Sequence, residues 1–201
     1  LTIFHLMGQH VNYKQRYRLN QGKFWASSYE DKRPELTNAQ RKMLSHYDNA
    51  TLYNDSIVAQ IVKRFQKQNA IIIYVPDHGE ECYEENRGFI CRNHSANIDW
   101  PLAHYEFEIP FWIYCSPKYI KNHRDIYRQI RKAKDKRFMT DALPHLLLYL
   151  AGIETPTYKE EYNILSPKYN EMRPRILKNS ADYDKLRDEY YKKQEKKGAK
   201  K

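Results

Sequence analysis

Apolar and polar positions follow two different periods along this chain, and the switches between them lay out its elements. Ile71, Ile72, Ile73, Tyr74 and Val75 form an unbroken β-branched and aromatic run. Such a run is too short for a helix, and with Pro76 closing it the pattern predicts a buried strand over 70–76. Residues 109–115 predict a second strand and the opening residues 1–6 a third. Between them, Leu44, Tyr47, Leu52, Ile57, Ile61 and Phe65 recur at helical spacing, which predicts an amphipathic helix from 37 to about 67 with these side chains toward the core. Thr37 and Gln40 open that helix as a capping box. A further helix over 141–151 ends at Gly152. A helix running into a strand is half of a βαβ unit, so the class is α/β, with parallel neighbours and the three strands in one sheet. The polar stretch 11–36, with Phe24, Trp25 and several tyrosines, is placed at the mouth of any site the strand ends build.

The strand ends carry the candidate chemistry. Strand 70–76 stops at Asp77-His78-Gly79-Glu80, and in an α/β sheet ligands bind at carboxyl ends of strands. Asp oxygen and His nitrogen are good Zn²⁺ donors, and Gly79 is expected to let the backbone turn away freely. Strand 1–6 runs into Gly8-Gln9-His10, and His94 follows in Arg92-Asn93-His94-Ser95. Two strand ends and one loop can therefore gather Asp77, His78, His10 and His94.

Composition changes the picture only in part. With 201 residues and 41% hydrophobic content, one domain with a core is expected. No apolar run approaches the roughly 20 residues that span a bilayer, which predicts a soluble piece. The net charge of +10 is concentrated in residues 118–137, a stretch that can attract anionic head groups but reads more simply as a solvated helix and loop. No nucleic-acid motif accompanies it. The tail from about Asp182 to Lys201 reads as a solvated helix fraying into disorder. Cys82 and Cys91 bracket the loop before His94, either as a disulfide or as two free thiols; Cys115 reads as a buried free thiol.

The ordered motifs His5-x-x-Gly8-x-His10, Tyr13, Arg16-Tyr17, the run from His46-Tyr47-Asp48-Asn49 to Asp55, and Asp77-His78-Gly79-Glu80 resemble the phosphoethanolamine transferases of the alkaline phosphatase/sulfatase superfamily. Glu108 to Ile113, Phe138 to Asp141 and Leu150-Ala151-Gly152 fit the later part of the same domain. The resemblance covers about residues 1–166, leaving 167–201 as a basic extension, partly helical or disordered. It implies a three-layer α/β/α alkaline-phosphatase-like sheet, present as an incomplete fragment of the domain.

By the same resemblance, Asp77 and His78 bind the principal zinc ion. His10 and His94 contact the phosphoethanolamine group or a second zinc, and His5 supports the strand end. The family's threonine nucleophile and glutamate ligand are expected upstream of Leu1, so that this fragment alone is inactive. The implied reaction moves phosphoethanolamine from phosphatidylethanolamine to lipid A or another surface glycan, a lipopolysaccharide modification. The catalytic domain is expected in the periplasm, with anchoring to the inner membrane through N-terminal helices. No Cys-x-Pro-x-Arg sulfatase signature occurs in the sequence. The rival readings are a sulfatase or phosphodiesterase-type hydrolase on the same scaffold, and a non-catalytic domain held to a membrane surface.

Overall fold

A computed structural model describes residues 1–88, 90–93 and 97–198. Helix α1 (Asn38–Phe65) starts where the capping box places it. Thr37 Oγ1 accepts the Gln40 N–H, and the Gln40 side chain returns to the Thr37 N–H at 2.8 Å. Strand β1 (Ile71–Tyr74) follows, then a small hairpin of β2 (Glu81–Cys82) and β3 (Ile90–Cys91), helix α2 (Trp100–Phe107) and strand β4 (Trp112–Cys115). Helices α3 (Pro117–Asn122), α4 (Arg124–Ala133) and α5 (Leu143–Ala151) come next. The hairpin β5 (Ile176–Leu177) and β6 (Ala181–Asp182) leads into helix α6 (Tyr183–Gly198). Gly152 caps α5 at φ +65°, a left-handed conformation that glycine adopts without cost.

The pleat of β1 and β4 makes the layers. Ile73 lies opposite Ile113, and both face a core of Ile126, Ile130 and Ala133 from α4 and Leu143, Leu146 and Leu150 from α5. On the other face Tyr74 stacks on Trp112 at 5.1 Å, and Asn54 of α1 reaches the Tyr74 hydroxyl. Helices thus cover both faces of the sheet, the α/β/α arrangement expected, here around two strands. Buried Ser116 ties the far end: its hydroxyl donates to Gln68 O at 2.6 Å and accepts the Tyr119 N–H that starts α3.

Three expectations change. First, β1 and β4 pair antiparallel, because the connection from 75 to 111 is spent at one end of the sheet, on the β2–β3 hairpin and α2. Second, residues 1–6 form no strand; Leu1, Ile3 and Phe4 are exposed. An extended segment without a neighbouring strand has no partner for its N–H and C=O groups, and none is offered to it among the described residues. Third, Leu52 is exposed, because it lies about 200° around the helix from fully buried Ala50.

Helix α4 bears out the plain reading of the cationic stretch: Ile126 and Ile130 face the core while Arg124, Arg128, Arg131 and Lys132 are exposed. Cys82, Cys91 and Cys115 are free thiols. The start of α6 is packed instead of solvated: Tyr183, Leu186 and Tyr190 surround Trp100 of α2. Among the described residues, no helix is long and apolar enough to cross a membrane.

Candidate functional site

The end of β1 presents Asp77 and His78 side by side, with Asp77 Oδ2 3.7 Å from His78 Nε2. Two ligands bound at 2.0–2.1 Å on a tetrahedral ion stand about 3.3 Å apart, so this pair fits two corners of a zinc shell. The Asp77 carboxylate is 90% exposed and His78 20%, so solvent reaches the pair from the Asp77 side. His78 Nδ1 lies 2.7 Å from Gly79 O. A carbonyl only accepts, so Nδ1 carries the proton in the neutral ring and Nε2 keeps the lone pair. This is the way ligating histidines are ordinarily oriented.

His10 repeats the arrangement. Its Nδ1 lies 2.7 Å from Val11 O, and Arg16 grips the same turn by donating to His10 O at 2.6 Å and Val11 O at 2.9 Å. The exposed ring again presents Nε2 as its lone-pair nitrogen. Beside this pair Glu80 accepts the buried Tyr13 hydroxyl at 2.7 Å, and both His10 and His78 act on it electrostatically. Burial holds the Glu80 carboxyl above the usual carboxylate range. The Tyr13 hydrogen bond and the two imidazoles oppose that, and the Glu106 carboxylate adds to it. Burial, reinforced by the bond to Glu80, also pushes the Tyr13 hydroxyl well above an ordinary phenol.

The predicted residues are thus only partly gathered. Asp77 and His78 form the pair; His10 is linked to them only through its electrostatic effect on Glu80. No group of three His, Cys, Asp or Glu side chains closes into a full shell among the described residues. His94 lies outside the described residues. His5 is exposed, and with no strand at 1–6 there is no strand end for it to support.

The role expected for Gly79 needs correcting too. Its φ is not in the left-handed region. A Cβ there would instead stand 2.3 Å from Tyr105 O of α2, whose next residue, Glu106, accepts the Gly79 N–H at 2.8 Å. Glycine is required by close approach of a backbone, not by the turn.

One turn of α1 holds the mouth of the site, a task that residue types alone did not assign. His46 Nδ1 pairs with the Tyr17 hydroxyl at 2.8 Å, and the Tyr47 ring meets Tyr13 edge-on at 5.3 Å. Asp48 accepts the Tyr29 hydroxyl. Buried Asn49 accepts the N–H groups of Lys23 and Phe24 and donates to Phe24 O. Four consecutive residues therefore fasten 13–29 to the helix. The signal available in the sequence was the grouping of His46, Asp48 and Asn49 around core-facing Tyr47 within an amphipathic helix.

Known proteins share this arrangement of elements. The sulfatase family pattern matches residues 1–153. Phosphoethanolamine transferase EptC of Escherichia coli K12 is 34% identical over 194 residues, covering 92% of this chain and 32% of the relative. Kdo(2)-lipid A phosphoethanolamine 7''-transferase of the same organism is 30% identical over 145 residues, 68% of this chain and 23% of the relative. The C-terminal periplasmic domain of E. coli EptC, solved as a complex with Zn, superposes with a TM-score of 0.70 at 30% identity, over 88% of this chain and 49% of that one. The fold is therefore of the alkaline phosphatase/sulfatase type, present in part. The chain spans about a third of the length of the curated EptC relative.

Proposed function

The chain belongs to the sulfatase family, and from that premise we propose that it forms the metal-binding part of a phosphoethanolamine transferase. The enzyme would move phosphoethanolamine from phosphatidylethanolamine to lipid A or another surface glycan. The observation that carries this reading is the Asp77–His78 pair, its donor atoms 3.7 Å apart at the end of β1. Support for transfer comes from the EptC relative, for a lipid A acceptor from the Kdo(2)-lipid A relative, and for zinc from the EptC zinc complex. The mixed oxygen and nitrogen donor set also suits zinc better than an all-oxygen magnesium site.

When bound, zinc would supply charge neutralisation at a phosphoryl oxygen and a lowered pKa for an attacking hydroxyl. Asp77 and His78 Nε2 would hold the ion, and the Gly79 carbonyl would keep His78 in the required tautomer. His10, fixed by Val11 O and Arg16, would offer the Nε2 lone pair to a second metal or, as the protonated imidazolium, an Nε2–H to the negative charge developing on the phosphoryl group; His94 shares that role. The threonine nucleophile and glutamate ligand that the resemblance implies have no match among residues 1–201. Transfer is accordingly proposed for the protein in which both are present, with residues 1–166 in the catalytic domain and 167–201 as an extension of it. That domain works in the periplasm, anchored to the inner membrane by helices outside these residues.

Zinc titration calorimetry on this chain tests the reading. Asp77→Ala and His78→Ala should each weaken binding at least about tenfold, since each removes a ligand. Tight stoichiometric binding that neither substitution alters refutes the site. In the protein with its threonine, Asp77→Asn should nearly abolish transfer of phosphoethanolamine to an acceptor. Sulfate-ester cleavage without such transfer would assign a sulfatase instead.

A further inference from the structure

Glu106 sits in the last turn of α2 with 1% of its surface exposed. Its Oε1 accepts the Asn93 N–H at 2.6 Å, and its main-chain carbonyl accepts the Gly79 N–H at 2.8 Å. Its second carboxylate oxygen is buried and has no hydrogen-bond partner among the described residues. One residue therefore bonds both the turn that carries Asp77 and His78 and the segment that ends next to residue 94. Helix α2 is itself held firmly at its other end. Asp99 caps it by accepting the Leu102 N–H, and Arg87 bridges Asp99 to buried Glu81.

A half-satisfied buried carboxylate is costly, the more so for a charged group. A leucine at this point of an apolar helix would fill the same space without that cost. Packing alone does not account for an acid here; the Asn93 N–H that its side chain accepts does, tying the 92–93 segment to the helix end whose main-chain carbonyl holds Gly79. We infer that Glu106 is a positioning residue for the proposed metal site, setting the 77–79 turn and the 92–93 segment relative to each other from a single helix end. The inference rests on the proposed metal-binding reading. It assigns Glu106 no contact with metal or substrate.

The test uses the full chain with Glu106→Leu, Glu106→Gln and, as a control, His78→Ala. The readouts are zinc affinity by calorimetry, the visible spectrum of bound Co²⁺, thermal midpoint, and amide hydrogen exchange at Asn93. Glu106→Leu should stay folded with a midpoint near that of the parent. It should lose zinc affinity about 10–100-fold, the range for residues that orient ligands, with a changed Co²⁺ spectrum and faster exchange at Asn93. Glu106→Gln keeps an acceptor oxygen for Asn93 and should restore affinity to within about threefold, with the parental spectrum. Unchanged affinity and spectrum in Glu106→Leu would overturn the inference, as would a Glu106→Gln protein no better than Glu106→Leu. If His78→Ala binds zinc as the parent does, the metal reading fails by itself. Exchange at Asn93 then decides for Glu106: faster in Glu106→Leu and slow in Glu106→Gln supports the positioning role, and no difference overturns it.

Discussion

Replacing Gly79 by alanine should loosen the site without touching a proposed ligand. The added Cβ would stand 2.3 Å from Tyr105 O, and its next neighbours, Tyr105 C and Glu106 C, are also backbone atoms, at 3.4 and 3.5 Å. No side chain can rotate to make room, so α2 and the 77–79 turn must separate by about 1 Å to reach ordinary contact. The hydrogen bond from Gly79 N to Glu106 O, 2.8 Å long, does not survive that movement. Overpacking of about 1–3 kcal/mol and a lost bond of about 1 kcal/mol give a destabilisation of about 2–4 kcal/mol. For a chain of this size that lowers the thermal midpoint by about 4–16 °C. Calorimetric melting of the metal-free chain measures it, and zinc affinity should fall in parallel. Gly79→Asn separates the two explanations of the glycine. Asparagine tolerates left-handed backbone better than alanine does, so a variant more stable than Gly79→Ala would mean that conformation, not close approach, is what requires glycine. A Gly79→Ala protein as stable as the parent would refute the argument outright.

Asn49→Ala removes three hydrogen bonds to Lys23 and Phe24 from a buried position; urea unfolding should show a loss of about 2 kcal/mol or more, with proteolysis appearing first in 19–36. Asp184 is held below the ordinary carboxylate range, chiefly by hydrogen bonds from Arg175, with Arg137 and Arg187 adding to it. A depressed folded value stabilises the protein above the ordinary carboxylate value and loses that contribution as pH falls through the folded one. Asp184→Asn should therefore destabilise the protein in urea unfolding at pH 7, and the gap to the parent should close in strong acid, as pH falls through the folded value. A gap independent of pH would show that the arginines do not favour the charged form.

The fold was legible where a pattern is local. The capping box at Thr37, the run 71–74 and the Gly152 cap each depend on neighbours a few residues away, and each stands within a few residues of its expected place. What depended on distant partners was not legible. Residues 1–6 look like a strand, but a strand is a pairing, and no described neighbour pairs with them. The hand of the β1–β4 pair followed from the path of 75–111, which the apolar pattern does not encode. The same division runs through the site. Asp77-His78-Gly79-Glu80 is contiguous and announces itself, whereas Tyr13 meets Glu80 across 67 positions. Glu106 shows in the sequence only as a charge within an apolar helix.

The C-terminal helix shows how a readable signal can be outvoted. Tyr183, Leu186 and Tyr190 stand at i, i+3 and i+7, the spacing of one helix face, and that face covers Trp100. The surrounding lysines and acids made the segment read as solvated throughout, which holds for residues 191–197 but not for its start. These contacts lie beyond the residues that the sulfatase family pattern matches, yet they act on α2. The Tyr183 hydroxyl also donates to Glu108, two residues past the carbonyl that holds Gly79. The start of α6 therefore packs on the same helix whose last turn bonds the 77–79 turn. Substitutions that release Tyr183 or Asp184 should disturb the Asp77–His78 pair although they never approach it.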